Sequence, residues 1–244
     1  MKNAALRSTL AAVAVAAAVL LMAPVASAEV TNTVVSGDTL WGLAERFYGD
    51  GGLFPVMSVI NHLADPDQID VGQELLIPYV TFRHQVTIED DKESLARQFY
   101  NDPSLSEIIP IANHAAQRDL VVGEWLLIPD LAAADGHQVV SGETWEVLAE
   151  RWYGESNLWP IIVIANHMVD QDAPVGQTII QPRLNWRHTV VSGESLWQLA
   201  TSYYGDTGDE ERTETMVAMV AAGNHIDEPD HLQAGQVLFF PSFH

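Results

Sequence analysis

Residues 34–50 read VVSGDTLWGLAERFYGD, and nearly the same string returns at 139–155 as VVSGETWEVLAERWYGE and at 190–206 as VVSGESLWQLATSYYGD. Within the first string, Leu40, Leu43, Ala44 and Phe47 fall at i, i+3, i+4 and i+7, the spacing of one buried helical face. Trp145, Leu148, Ala149 and Trp152 repeat that spacing, as do Leu196, Leu199, Ala200 and Tyr203. Asp38 stands just ahead of the face, where a carboxylate can cap the first turn, and Gly49, Gly154 and Gly205 stand where a left-handed residue ends a helix. A helix therefore follows each Ser-Gly-acid turn.

Working outward, each string is preceded or opened by a β-branched segment: Thr33-Val34-Val35, Gln138-Val139-Val140 and Thr189-Val190-Val191. A second apolar stretch leads to Asn-His, and the unit closes on a glycine turn and an apolar strand stopped by proline, as in VGQELLIP at 71–78, VGQTIIQP at 175–182 and AGQVLFFP at 234–241. A fourth, diverged copy lies at 84–129, opening with Gln85-Val86-Thr87 and carrying Phe99-Tyr100-Asn101, Asn113-His114 and a strand ending at Pro129. Four units result: 33–78, 84–129, 137–182 and 188–241, the last with an acidic insertion near 206–213. The element order in each is β-α-α-β, an α+β fold class with two helices on one face of a two-stranded antiparallel sheet.

A unit of about 46 residues is close to the lower limit for a self-sufficient core. Phe47, Phe99, Trp152 and Tyr203 are accordingly read as core, in helical register, rather than as platforms for a ligand. The segments 79–83, 130–136 and 183–187 are read as linkers. The first and third resemble each other and the middle one differs, so two closely packed pairs of units with a looser joint near 130–136 are expected.

Residues 1–28 read as a cleavable export signal. Lys2 and Arg7 form a positive start, an apolar run extends from Leu10 to Met22, and Ala26-Ser27-Ala28 is a small-residue cleavage site. The apolar run is shorter than the roughly 20 residues a membrane span needs, so no membrane association is expected after cleavage. Removing this segment takes away two cations and no acid, moving the formal charge from −22 to −24. Such a field repels nucleic acid and anionic lipid, so neither is expected as a partner. The chain has no cysteine, which excludes disulfides, thiolate nucleophiles and thiolate metal sites.

The three quoted strings, each followed by an asparagine and by a glycine-led terminal strand, resemble the LysM (lysin motif) family. The resemblance covers nearly all of 33–241, in four tandem modules. It implies binding of peptidoglycan or a related polymer through N-acetylglucosamine, in a groove between the loop after the first strand and the loop before the second. Transferred position by position, it implies glycan-binding roles for Gly37, Asp38, Thr39, Leu40, Asn61 and Ile69 in the first unit. In the third it implies Gly142, Glu143, Thr144, Trp145 and Asn166, with Ala173 at the position of Ile69. In the fourth it implies Gly193, Glu194, Ser195, Leu196, Asn224 and Leu232. For the acids, helix capping and groove building stand about even and can coexist; for the asparagines, capping the second helix stands somewhat ahead of sugar contact.

The second unit departs from the pattern. Ile88-Glu89-Asp90-Asp91-Lys92 replaces Ser-Gly-acid-x-Leu, so this unit is expected to fold but to bind weakly or act as a spacer. Once four units are assigned, no stretch remains for a catalytic domain. The nine histidines show no metal-ligand spacing, so neither enzyme activity nor a metal or other cofactor is expected. An exported protein of the periplasm, cell wall or extracellular space follows, with an envelope scaffold or adaptor that docks other envelope proteins as the alternative.

Overall fold

The computed structural model describes residues 30–169 and 172–243; the expected leader at 1–28, with its Ala26-Ser27-Ala28 site, lies outside the described residues. Among the described residues no helix is long and apolar enough to cross a membrane. The elements in order are β1 (Thr31–Thr33), α1 (Leu40–Tyr48), α2 (Phe54–Ile60), β2 (Glu74–Leu76), β3 (Phe82–Gln85), α3 (Lys92–Tyr100), α4 (Ile108–Ala112), β4 (Trp125–Ile128), β5 (Asp130–Gln138), α5 (Trp145–Tyr153), α6 (Trp159–Ala165), β6 (Thr178–Arg183), β7 (Trp186–Thr189), α7 (Leu196–Tyr204), α8 (Glu210–Gly223) and β8 (Val237–Phe240). They form small two-stranded antiparallel sheets, β1 with β2, β3 with β4, β5 with β6 and β7 with β8, each followed through its helices by the next.

The opening helices cap differently from expectation. Thr39, one residue after Asp38, is the N-cap of α1 and its hydroxyl accepts from Gly42 N. Thr144 and Ser195 do the same for α5 and α7, and Asp91 for α3. The acid instead closes the turn before the cap: Asp38 Oδ2 accepts from Val35 N at 3.0 Å. An extended backbone at Thr39 (φ −131°, ψ 155°) points its short hydroxyl at the first-turn amides, which leaves the carboxylate facing back. Gly49, Gly154 and Asn101 end their helices in the left-handed region as expected, whereas Gly205 (φ 85°, ψ 143°) leads straight out into the inserted loop. Half of that insertion is helical. Asp209 caps α8, and Glu210 and Glu211 lie in its first turn, where they complement the helix dipole.

The first strands sit upstream of the valine pairs. Asn32 lies opposite Leu75, His84 opposite Leu126, His137 opposite Ile179 and His188 opposite Leu238. Within each valine pair one residue packs inward and the next faces solvent, as Val34 (2% exposed) and Val35 (56%) do. Much of 79–83, 130–136 and 183–187 is therefore strand rather than linker; 130–136 lies in β5, paired to β6 with a register irregularity between Asp130 and Asp135. Of the aromatic pairs, the second member goes deepest in α1 and α5: Tyr48 and Tyr153 are fully buried, while Phe47 and Trp152 are half-buried.

The pairing of units also differs from the expectation of neighbours in sequence. Helix α2 packs on α8, and α4 on α6. Ala200, Met216 and Met219 from the last unit join the core built by Leu43, Val56 and Met57 of the first, while Leu105, Ile108 and Ala112 join Leu148, Ile161 and Ile162. Thus the first unit pairs with the last and the second with the third. Short units leave an apolar helix face uncovered; for the first unit the covering partner lies far along the chain, whereas the second and third pack together across 130–136, the joint expected to be looser.

The two similar segments, 79–83 and 183–187, meet in the middle. Thr81 N donates to Asn185 Oδ1 and Asn185 N donates to Thr81 Oγ1, both at 2.7 Å, with both residues almost fully buried. Asn185 Nδ2 also reaches Phe240 O (2.9 Å) and Tyr79 O (3.2 Å). Flanking this knot are two quasi-equivalent clasps. Arg83 donates to Gly223 O (3.0 Å), lies 3.3 Å from Asp50 and contacts His225 at 3.1 Å. Arg187 donates to Ala112 O (3.0 Å), lies 3.6 Å from Glu155 and contacts His114 at 3.3 Å. Burial pulls both arginine pKa values down and the neighbouring carboxylate opposes it. Each clasp ties three units together.

Candidate functional site

In the first unit, the loop after β1 and the loop before β2 face each other across a groove of about 210 Å³. Asp38, Thr39, Leu40 and Trp41 form one wall; Pro66, Asp67 and Ile69 form the other, with Phe54 from α2 beside them. The first wall is shaped by the turn Val35-Ser36-Gly37-Asp38. Gly37 has φ +97°, and a β-carbon placed on it would meet nothing within 4 Å, so the glycine serves the backbone conformation while leaving open space above it. Gly142 (φ +93°) and Gly193 (φ +94°) repeat this. The second wall is held by Asp65, whose carboxylate accepts from Asp67 N (3.0 Å) and Gln68 Nε2 (2.7 Å).

Four residues expected at the groove of the first unit are in its lining: Asp38, Thr39, Leu40 and Ile69. Leu40, Trp145 and Leu196 are nevertheless almost fully buried, at 2%, 4% and 1% exposed, because each is the first core residue of its helix. Thr39, Thr144 and Ser195 are exposed, but each hydroxyl is engaged as a helix cap. Ala173 is buried in the third unit, and Leu232 is half-buried against the core of the fourth.

The asparagines have a different position from the one expected at the groove. Asn61 Nδ2 donates to Met57 O and to Leu76 O, and Leu76 N donates to Asn61 Oδ1, all at 2.8 Å. Asn166 and Asn224 make the same three bonds with their own helix and strand, as does Asn113. Both amide hydrogens are committed, so these side chains clip helix to strand. The histidine after each asparagine, at 62, 114, 167 and 225, sits at φ +50 to +53°, a turn position that ends the helix.

Four lining residues fall outside the expected set, Trp41, Phe54, Pro66 and Asp67, and Trp41 presents the largest exposed apolar face. Trp41 is 58% exposed, lines the groove, and lies 6.3 Å from the Phe54 ring. Its ring covers Gly51 so closely that a β-carbon there would come within 2.3 Å. The signal was available: Trp41 is one residue past Leu40, off the apolar stripe, and an exposed tryptophan without a core role offers a flat apolar face. Trp197 occupies the same position in the fourth unit, 41% exposed, whereas Glu93 and Glu146 stand there in the second and third.

The acids of the turns are held by more than the backbone. His84 Nε2 lies 2.9 Å from Asp90 Oδ2, His137 Nε2 2.8 Å from Glu143 Oε2, and His188 Nε2 2.7 Å from Glu194 Oε2. For Asp90 and Glu143, burial alone would raise the carboxyl pKa. The hydrogen bonds from His84 and Thr87, and from Val140, His137 and Arg151, outweigh it, so both sit below the usual carboxylate range. Glu194 is lowered by the Val191 amide and then by His188. In the second unit the turn lacks glycine and Glu89 keeps a negative φ, while Lys92 crosses to Glu107 (3.3 Å) and Ala116 O (3.1 Å), fastening one loop to the other. Among the described residues, no three His, Asp or Glu side chains are grouped to hold a metal ion.

Two curated relatives match this chain: Esterase MT1326 of Mycobacterium tuberculosis strain CDC 1551 / Oshkosh and Esterase Rv1288 of strain ATCC 25618 / H37Rv. Each is 40% identical over 152 residues, covering 62% of this chain and 32% of the relative, so the chain spans about a third of their length. Among solved structures, the spore cortex-lytic enzyme SleL of Bacillus megaterium QM B1551 is 25% identical, with a TM-score of 0.23 over 41% of this chain and 22% of that one. The family model of the LysM domain matches residues 33–78 and 188–241, so the two units that carry the exposed tryptophans Trp41 and Trp197 are similar to LysM domains.

Proposed function

We propose that this chain is a non-catalytic binder of N-acetylglucosamine-containing glycans, most specifically peptidoglycan, and that it acts as four tandem LysM modules of unequal strength in an exported protein of the cell wall, periplasm or extracellular space. LysM domains in general bind glycans of this kind. The observation that carries the reading is the first unit's groove, with polar turn atoms on one wall, Ile69 on the other and the Trp41 face at its rim. An N-acetyl sugar presents a carbonyl, an amide, a methyl and an apolar ring face, and each has a counterpart there. The fourth unit shares the glycine turn and the tryptophan; the third keeps the turn but carries Glu146; the second lacks the glycine and has Lys92, bonded to Glu107 and Ala116 O, where the first has Leu40. Binding is therefore assigned chiefly to the first and last units, with effective concentration along a polymer adding to it.

Retention on purified sacculi and calorimetry with a chitin hexasaccharide test this. Trp41→Ala and Trp197→Ala should each weaken binding about fivefold, from the loss of roughly 1 kcal/mol of stacking. Gly37→Val and Gly193→Val should weaken it further by straining the turn. Undiminished retention of the double tryptophan variant would refute the assignment. A second reading, an esterase, is prompted only by the names of the relatives. Hydrolysis of aryl acetates by the purified chain would favour it, as release of soluble muropeptides from sacculi would favour a wall hydrolase.

A further inference from the structure

The turn that forms the first wall is built the same way in all four units, and its supporting strand residue differs in one. A carboxylate accepts from the backbone amide three residues earlier, at 3.0 Å for Asp38, 2.7 Å for Asp90, 3.0 Å for Glu143 and 2.7 Å for Glu194. In three units the same oxygen meets the imidazole of the residue six positions earlier, on the first strand. An aromatic ring also lies against each imidazole: Phe99 edge-on at 5.4 Å from His84, Trp152 edge-on at 5.2 Å from His137, and Trp186 stacked at 6.0 Å from His188. In the first unit that strand position is Asn32, which accepts from Arg46 at 2.7 Å.

We propose that His84, His137 and His188 are positioning residues that fix the carboxylate turn of their units, and that the first unit, with Asn32, runs its turn without such a support. A ring held by both a strand and an aromatic donates to the carboxylate with little freedom to lose, so the ionised turn persists further into acid than the backbone amide alone would hold it. The depressed carboxyl pKa values of Asp90, Glu143 and Glu194 agree with this. Among charged neighbours, Arg151 adds a 2.6 Å contact to Glu143, and for Asp90 and Glu194 the histidine is the partner. The turns of one chain therefore differ in whether the strand residue six positions before the carboxylate supports it.

Carboxyl-carbon NMR on the full chain, titrated from neutral to strongly acid pH, tests it. His188→Asn should raise the Glu194 midpoint by about half a pH unit or more, and His188→Gln, whose amide donor reaches one methylene further toward the carboxylate, should recover part of the shift. Asn32→His should lower the Asp38 midpoint, a gain that no loss of folding can imitate. Unchanged midpoints in both His188→Asn and Asn32→His overturn the proposal. A link to sugar binding rests on the function proposed above and is read separately, as a several-fold loss of chitin hexasaccharide affinity in His188→Asn. If wild-type protein binds no glycan while the midpoints move, the positioning role stands and the proposed function falls.

Discussion

Replacing Asn185 by alanine should loosen all four units together. The side chain, 3% exposed, makes three hydrogen bonds, accepting from Thr81 N at 2.7 Å and donating to Phe240 O at 2.9 Å and Tyr79 O at 3.2 Å. A buried intramolecular bond contributes about 0.5–1.5 kcal/mol, and a partner left unsatisfied costs more. The Thr81 amide has nowhere else to turn and the 3.2 Å bond is the weakest, so the loss comes to about 3 kcal/mol. Against a typical stability of about 5–15 kcal/mol, that is a large fraction. With a urea m-value near the top of the usual range of about 1–3 kcal/mol/M, the unfolding midpoint should fall by about 1 M. Tryptophan fluorescence and far-UV circular dichroism should give one coincident transition in wild type and variant alike, because Asn185 ties the segment between the last two units to Tyr79 and Thr81, between the first two, and to Phe240 of the final strand. Thr81→Val, which removes only the hydroxyl that receives Asn185 N, should cost about 1 kcal/mol. Separate transitions in the wild-type protein, or an Asn185→Ala midpoint within experimental error of wild type, would refute the idea that the central segments lock the assembly.

Other outcomes follow from the same contacts. Asn61→Ala should destabilise by about 2–3 kcal/mol in urea titration, since three bonds are lost, while glycan affinity of the still-folded fraction stays near wild type. Met219→Ala, fully buried where the last unit meets the first, should cost about 2–5 kcal/mol, and residues 33–78 expressed alone should fail to show cooperative unfolding because this face is left bare. Stability should fall on the acid side. The lowered carboxyls of Asp90, Glu143 and Glu194 contribute above the unfolded carboxylate pKa, and that contribution is lost as pH falls through their folded values; Glu143→Gln should flatten part of the slope in a pH series of thermal melts. Gly51→Ala should displace the Trp41 ring and weaken chitin hexasaccharide binding, read by calorimetry alongside an unchanged helical spectrum.

Much of each unit was legible in local pattern. The apolar spacing of Leu40, Leu43 and Ala44, the glycine after Tyr48 and the proline after Ile77 suffice for a helix, its end and a strand end. The first strands were misplaced by about two residues because β-branched composition points at Val34-Val35, whereas pairing is centred on Asn32, bonded to Arg46, and on His84, His137 and His188, bonded to their turn carboxylates. The groove of the first unit was half legible: backbone-shaping Gly37 and Asp38 stood out, but Trp41 passed as one more aromatic in an aromatic-rich helix. The asparagines recur for a reason internal to the unit, and recurrence alone does not separate that from ligand contact. What sequence pattern had no means to show is which unit meets which, since Thr81 and Asn185, or Val56 and Met219, are joined only through space.

The pairing of first with last has a consequence for how the molecule comes into being. A chain emerging from its N-terminal end presents α2 to its surroundings long before α8 exists to cover it, so Val56 and Met57 must wait for Met216 and Met219. The middle two units complete their shared interior earlier, and closure of the whole awaits the arrival of the final helix. A folding order follows as an expectation: the middle pair should gain protection first in pulsed hydrogen exchange and α2 last, because its covering contact is the most distant in sequence.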